Sequence, residues 1–275
     1  MTNSAENIQE NIYSDKFDTQ TVSSLSLFLF DEKYILLSKD VNGEVSGIHQ
    51  KFFSDLKSLS FVIQRDKLYA LDVPKKIFLF HKPAALIPGL IFDSNHLPYY
   101  LGFVEKNSID VSYLFSNLDS NNCYLVSKIN NELKAIFTGN QSKLSFHHGA
   151  SSFLSYILKD KNTYINQEIF ISVYSQGFYL AAFKNQTLTV FNTFDCEDRE
   201  TLMKYLFGIV KHLNFDQKYC RITLFGEYTA LDIDQEFGHT YFKNFILDQP
   251  KANQQYQASA SIFQNSNLFE AFWEY

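Results

Sequence analysis

An α/β fold of two lobes, each a mixed sheet with flanking helices, is what this sequence predicts. Three observations point there. Residues 169–194 hold three strand-length apolar runs split by short polar turns, and an amphipathic helix, a strand and a short helix follow. The first half shows the same order more loosely. The interior must also be bulky: 17% of the 275 residues are aromatic, with 28 Phe and 17 Tyr, and such side chains favour strands and fill cores.

Residues 1–20 are polar and acidic (Glu6, Glu10, Asp15, Asp18) and read as a loose tail. Residues 25–30 are a strand-length apolar run. Asp31, Glu32 and Lys33 turn the chain and residues 34–37 resume it, which predicts a hairpin buried on both faces. Ile48, Phe52, Phe53 and Leu56 share one side of a short helix over 47–58. Residues 76–80 form a further strand, Pro83 and Pro88 bracket a connection, and 94–103 read as helix. Residues 123–126 and 133–137 pair as a hairpin around Asn130 and Asn131. Phe153, Tyr156 and Ile157 give residues 150–159 helical spacing, with Ser151 or Ser152 as N-cap.

The second half is sharper. Residues 169–174, 178–183 and 188–194 form an antiparallel meander, and Gly177 can take a positive φ in its first turn. Asp195 caps the next helix, with Asp198 in its first turn. Leu202, Leu206, Ile209 and Leu213 make its apolar stripe. Residues 220–225 are a strand ending at Gly226, a short helix covers 230–239, and 242–247 form a strand. Residues 248–261 read as a polar linker. The end, Leu268 to Trp273, is apolar enough to dock on the body. The organisation expected is a tail (1–20), a first lobe (21–163), a second lobe (164–247), and a linker with a docking segment (248–275).

Bulk properties exclude several functions. The net charge is −6 and the longest basic runs are pairs such as Lys75-Lys76, so nucleic acid and anionic membranes are disfavoured as partners. Cys123, Cys196 and Cys220 are odd in number, widely spaced and without a C-x-x-C. They read as free buried thiols of a cytoplasmic protein. Residues 1–20 lack the basic start and apolar core expected of a signal peptide, and the sequence holds no run of about 18 apolar residues. His147 and His148 are adjacent, an awkward spacing for joint metal ligation. Gly149 to Ser152 is not a nucleophile elbow. Asp232, Asp234 and Glu236 suit a solvated helix start better than a two-metal nuclease, because the first strand, residues 25–30, carries no acid. No metal and no cofactor are expected.

Three strands, helix, strand, helix is the order of the ribonuclease H-like fold, and two such lobes make the actin-like ATPase architecture. The segments Ala84-Ala85-Leu86-Ile87-Pro88-Gly89-Leu90-Ile91-Phe92, Leu188-Thr189-Val190-Phe191-Asn192-Thr193-Phe194 with Asp198, and Ile222-Thr223-Leu224-Phe225-Gly226 resemble those of an uncharacterised Bacteroidetes family with this fold. The resemblance covers roughly residues 22–247. It implies an actin-like ATPase architecture with no assigned activity, and fold alone does not give function.

Actin-like ATPases hold nucleotide between two hairpin turns and a Gly-rich strand end. Glycines let backbone amides approach the phosphates, and acids hold Mg²⁺. Here the first turn keeps an acid, Asp31, but no Gly follows, and Glu32 adds a second negative charge. The second keeps Gly177, with Tyr174 and Ser175 where an acid is wanted. The strand end offers Gly226 followed by Glu227. Asp31, Ser175, Gly177 and Gly226 are therefore the candidate nucleotide-loop positions, in degraded form. Ordinary turn chemistry accounts for the same residues. The function expected is a non-catalytic pseudo-ATPase that binds a protein partner. The alternative is a weak nucleotide-dependent enzyme working through Asp31 and Gly177.

Overall fold

Along the first core strand and the residue after it, Phe28 and Phe30 belong to one buried cluster, while Leu25, Leu27 and Leu29 belong to another on the opposite face. A strand places alternate side chains on opposite faces, so this sheet is covered on both sides. The computed structural model describes residues 10–81, 83–105, 109–118, 122–139, 143–175, 177–250 and 256–258.

The first lobe contains β1 (Glu10–Tyr13), β2 (Val22–Leu29), β3 (Lys33–Asp40), β4 (Val45–Phe52), α1 (Leu56–Arg65) and β5 (Lys75–Leu79). Next come β6 (Ala84–Pro88), α2 (Leu97–Gly102), β7 (Val111–Leu118), β8 (Cys123–Asn130) and α3 (Asn131–Thr138), and then β9 (Leu144–His148) and α4 (Gly149–Lys159). The second lobe contains β10 (Gln167–Tyr174), β11 (Gly177–Lys184), β12 (Thr187–Asp195), α5 (Arg199–Leu213), β13 (Arg221–Gly226), α6 (Gln235–Tyr241) and β14 (Asn244–Leu247).

The two main sheets run β1-β4-β3-β2-β5-β9 and β12-β11-β10-β13-β14, and β6-β8-β7 form a small third sheet. Leaving β1 aside, both main sheets have the same order of first to fifth strands. In each, the first three strands form an antiparallel meander, and the fourth and fifth lie parallel to the first. The loose repetition read in the first half is thus a repeated topology, with the β6–α3 segment inserted between its fourth and fifth strands.

Helix α4 joins the lobes. Phe153, Leu154, Ile157 and Leu158 on it share one buried cluster with Phe28, Phe78 and Phe80 of the first sheet and Phe170, Tyr179, Phe183 and Phe225 of the second. The outer faces carry separate cores: α1 and α3 residues against the first sheet, α5 residues against the second. Apolar burial stabilises by about 25 cal/mol per Å², so one continuous aromatic layer couples the two lobes.

Several expected elements differ. Residues 45–52 are strand, not helix: the first five positions of β4 are all buried, which hides the alternation. The helix starts later, where the Asp55 carboxylate accepts from Ser58 N and the Ser58 hydroxyl caps back. The hairpin expected around Asn130 is instead a strand-to-helix junction, because the Asn130 side chain accepts from the amides of Glu132 and Leu133 and starts α3. The partner of β8 is β7. The connection between Pro83 and Pro88 is strand β6. Helix α4 is capped by His148, whose ring accepts from Ala150 N, while the Ser151 and Ser152 hydroxyls bond back to His148 O and Gly149 O. Asp198, not Asp195, caps α5.

The tail reading fails from residue 10 onward. Glu10–Tyr13 pairs with β4, and residues 1–9 lie outside the described residues. The linker reading fails at 256–258. Tyr256 bridges Val45, Gln257 N donates to Val45 O at 3.0 Å, and Gln257 Nε2 donates to Asp40 Oδ2 at 2.9 Å. The chain thus returns from the second lobe to the first. The docking segment at Leu268 to Trp273 lies outside the described residues. All three cysteines are buried and free. Among the described residues no helix is long and apolar enough to cross a membrane.

Candidate functional site at the lobe junction

The repeated topology sets the ends of the equivalent strands β2 and β10 facing each other. In the first lobe Phe30 N donates to Lys33 O, closing the turn Phe30-Asp31-Glu32-Lys33, and Phe80 N, just past β5, donates to Leu29 O. In the second lobe Tyr174 pairs with Gly177 and Glu227 N donates to Val173 O. Asp31 and Ser175 therefore occupy equivalent turn positions, as do Lys33 and Gly177, and Phe80 and Glu227.

These corners touch. Ser175 Oγ donates to Asp31 Oδ2 at 3.3 Å, and Lys33 Nζ pairs with Glu227 Oε1 at 2.5 Å. Both contacts cross between lobes. A phosphate held by both turns would need a hydrogen bond of about 2.8 Å on each side plus its own width, so it would have to displace this exposed side-chain contact of 3.3 Å.

Aromatic rings fill the space behind the turns. Phe30 stacks on Phe80 at 4.5 Å, Phe80 meets Tyr174 edge-on and Tyr179 at a tilt, both at 6.2 Å, and Tyr174 and Tyr179 lie 4.6 Å apart. Phe80 also covers Gly149, where an added Cβ would come within 2.8 Å of the ring. Burial, with the nearby Asp31 charge, pushes both phenols up, so Tyr174 and Tyr179 stay neutral.

The charged groups at the junction are acidic or already paired, and its histidines are neutral. Loss of water around Asp31 raises its carboxyl, partly opposed by the Ser175 hydrogen bond and by His81. Burial pushes His81 and His148 down, so both rings are neutral at pH 7. Lys33 is committed to Glu227, and Glu32 is exposed beside Asp31. The two glycines meet demands of their own backbone. Gly226 has φ +94°, and a Cβ there would lie 1.9 Å from Val173 O; one at Gly177 would lie 2.5 Å from Phe194 O.

The structure thus brings all four predicted positions to one junction, where Asp31 and Ser175 bind each other and Gly177 and Gly226 serve close packing. Sequence reasoning missed Phe80 and the Lys33–Glu227 pair. The available signal was a Phe closing the run 76–80, at the strand end where a nucleotide cleft must stay open.

An opening remains beside the junction. A cavity of about 140 Å³ lies at the ends of β2 and β5, lined by Phe30, Asp31, Phe53, Leu56, His81 and Leu133 among others. Small-molecule sites usually span about 300–1,000 Å³, so this one suits a side chain and not a nucleotide. A larger hollow of about 670 Å³ between α1 and α3, lined by Gln64, Asp72, Glu132 and Gly139, shares no residue with the junction.

Residues 18–245 match the model of a family described as Protein of unknown function (DUF3822). Among solved structures, one from Bacteroides thetaiotaomicron VPI-5482 is described as a protein with actin-like ATPase fold and unknown function. It superposes with a TM-score of 0.76 at 16% identity, covering 84% of this chain and 93% of that one. A chain of the PilM-PilN type IV pilus biogenesis complex gives a TM-score of 0.61 at 10% identity, covering 90% of this chain and 96% of that one. At these identities the likeness is one of fold. No curated protein matches.

Proposed function

Since the chain belongs to this family of unknown function and has the actin-like ATPase fold, we propose that it is a non-catalytic member of that architecture, a pseudo-ATPase that serves as a protein-binding module. The observation that carries this reading is the direct contact of the two phosphate-loop turns, Ser175 to Asp31, over a packed aromatic layer. Phosphoryl transfer is almost entirely positioning and charge neutralisation. A junction with its lysine paired, its histidines neutral and its turns in contact supplies neither. A fixed two-lobed body offers binding surfaces instead. That one neighbour of this fold is solved in a complex of type IV pilus biogenesis is a precedent for such a role.

Thermal unfolding in rising Mg-ATP, Mg-ADP and a non-hydrolysable analogue tests the reading. The midpoint stays constant if no nucleotide binds. A ligand at 100 times its Kd adds about 2.7 kcal/mol, and each kcal/mol moves a chain of this size by about 2–4 °C. A dose-dependent rise of several degrees would establish the nucleotide-dependent alternative.

A further inference from the structure

The 140 Å³ cavity beside the junction has a shape and a charge that define an occupant. Its walls are apolar: Leu29, Phe30, Phe53, Leu56, Leu59, Leu79, Phe80 and Leu133 supply eight of its ten residues. An apolar cavity of about 150 Å³ stays dry and accepts a molecule the size of benzene, so this one fits a single leucine-sized side chain. The two polar members, Asp31 and His81, share its lining, and His81 is neutral.

Its surroundings are acidic. Asp31 and Glu32 are exposed, and Phe53 N donates to Glu32 O, which fixes this turn against the wall. Asp55 and Glu132, also exposed, immediately precede the lining residues Leu56 and Leu133, against two lysines, Lys57 and Lys134, directly after them, of which Lys134 Nζ donates to Ser112 Oγ at 3.1 Å. Lys33 is tied to Glu227 across the junction. An apolar anchor entering here is therefore favoured when a cation follows it. The chain's own apolar end does not qualify, since Leu268 to Trp273 contains Glu270 and is followed by Glu274.

We propose that this cavity is the anchor pocket of a peptide-binding site, taking one leucine-like side chain of a partner segment while Asp31 and Glu32 pair with a lysine or arginine next to it. The proposal rests on the protein-binding reading and deepens it. Binding forms no covalent bond and needs no cofactor.

The test is a titration of the full ¹⁵N-labelled chain with three capped dipeptides, acetyl-Leu-Lys-amide, acetyl-Ala-Lys-amide and acetyl-Leu-Glu-amide. The Leu-Lys peptide should shift the amides of Phe30, Asp31, Leu59, Leu79 and His81 in a saturable way. The Ala-Lys and Leu-Glu peptides should bind at least several-fold more weakly. Leu133→Trp, at a half-buried wall position, should abolish the shifts while keeping a dispersed spectrum. Asp31→Asn, at an exposed position that spares the fold, should weaken Leu-Lys binding a few-fold, as expected for one exposed charge contact. Absence of shifts at the lining residues, or equal binding of all three peptides, overturns the proposal. A separate arm with Mg-ATP distinguishes the two levels. Shifts with ATP at Asp31 and Ser175 sink the pseudo-ATPase reading, whereas silence to ATP and to all three peptides sinks only the anchor pocket.

Discussion

Ser175 and Asp31 hold equivalent places in the hairpins of the two lobes, and the 3.3 Å hydrogen bond between them joins one lobe to the other. The bond is exposed and the rings behind it are buried. Exposed polar contacts contribute about 0–1 kcal/mol, whereas truncating a buried Phe costs about 3–5 kcal/mol. Ser175→Ala should therefore change the urea midpoint little and Phe80→Ala should lower it strongly. A Ser175→Ala loss as large as that of Phe80→Ala would mean that the polar tie holds the junction.

The glycines separate a structural role from a ligand-binding one. Gly226 combines φ +94° with a carbonyl oxygen 1.9 Å from any added Cβ, whereas Gly43 has φ +81° and nothing within 4 Å. A left-handed conformation costs a non-Gly residue about 1–2 kcal/mol, and overpacking adds about 1–3 kcal/mol. Gly43→Ala should lose about 1 kcal/mol, and Gly226→Ala clearly more. Chemical denaturation ranks them; equal losses would remove the close approach to Val173 as the reason for this glycine.

Much of this architecture is legible in the residues. The meander β10–β12 and helix α5 stand out because polar turns bound the strands and leucines recur at helical spacing. The first lobe was harder for identifiable reasons. Strand β4 is buried on both faces at its start, so no alternation shows, and Phe52, Phe53 and Leu56 mimic a helical stripe across the strand end. Helix α3 has only eight residues, and the Asn130 cap that starts it uses the same residue type as a hairpin turn. Strand β1 and residues 256–258 are polar segments held by backbone pairing and side-chain bonds to Val45, Asp40 and Ser14, and such long-range pairing leaves no local pattern. At the junction, all four candidate residues were readable from turn positions. The filling of the cleft by Phe80, Tyr174 and Tyr179 was not, because it depends on how the lobes meet.

The cysteines should be chemically silent in the folded state. Burial pushes Cys196 up to about 11 and Cys220 up to about 12, and raises Cys123 as well. Thiolate is the reactive form, and at pH 8 little of it exists at these sites. Reaction with a disulfide reagent at pH 8 should be slow for the native protein and rapid, with three equivalents consumed, in urea. Fast labelling of one thiol without denaturant would contradict the buried placement.

Asp66 should control the acid limb of stability. Its carboxylate is buried and accepts from the Tyr34 hydroxyl at 2.7 Å and from Leu68 N at 2.9 Å, and it meets His49 Nδ1 at 2.7 Å, while His49 Nε2 bonds the Tyr13 hydroxyl of β1. Burial raises the carboxyl, but the His49 and Tyr34 hydrogen bonds and the backbone donors outweigh it, and the net direction is downward. A folded value below the unfolded one, about 3.9, means that the carboxylate contributes stability fully above pH 4 and loses it as pH falls through the folded value. Asp66→Asn should lower stability at pH 7 by about 2–3 kcal/mol, since buried donors lose a charged acceptor. The variant's deficit should begin to shrink below pH 4, where the unfolded wild-type chain binds a proton at Asp66 that the folded protein still resists, and it should keep shrinking until the folded carboxyl is protonated too. Urea unfolding of both proteins from pH 7 to pH 3 measures this convergence, and a deficit that stays constant over the range would show that Asp66 acts through shape and not through its charge.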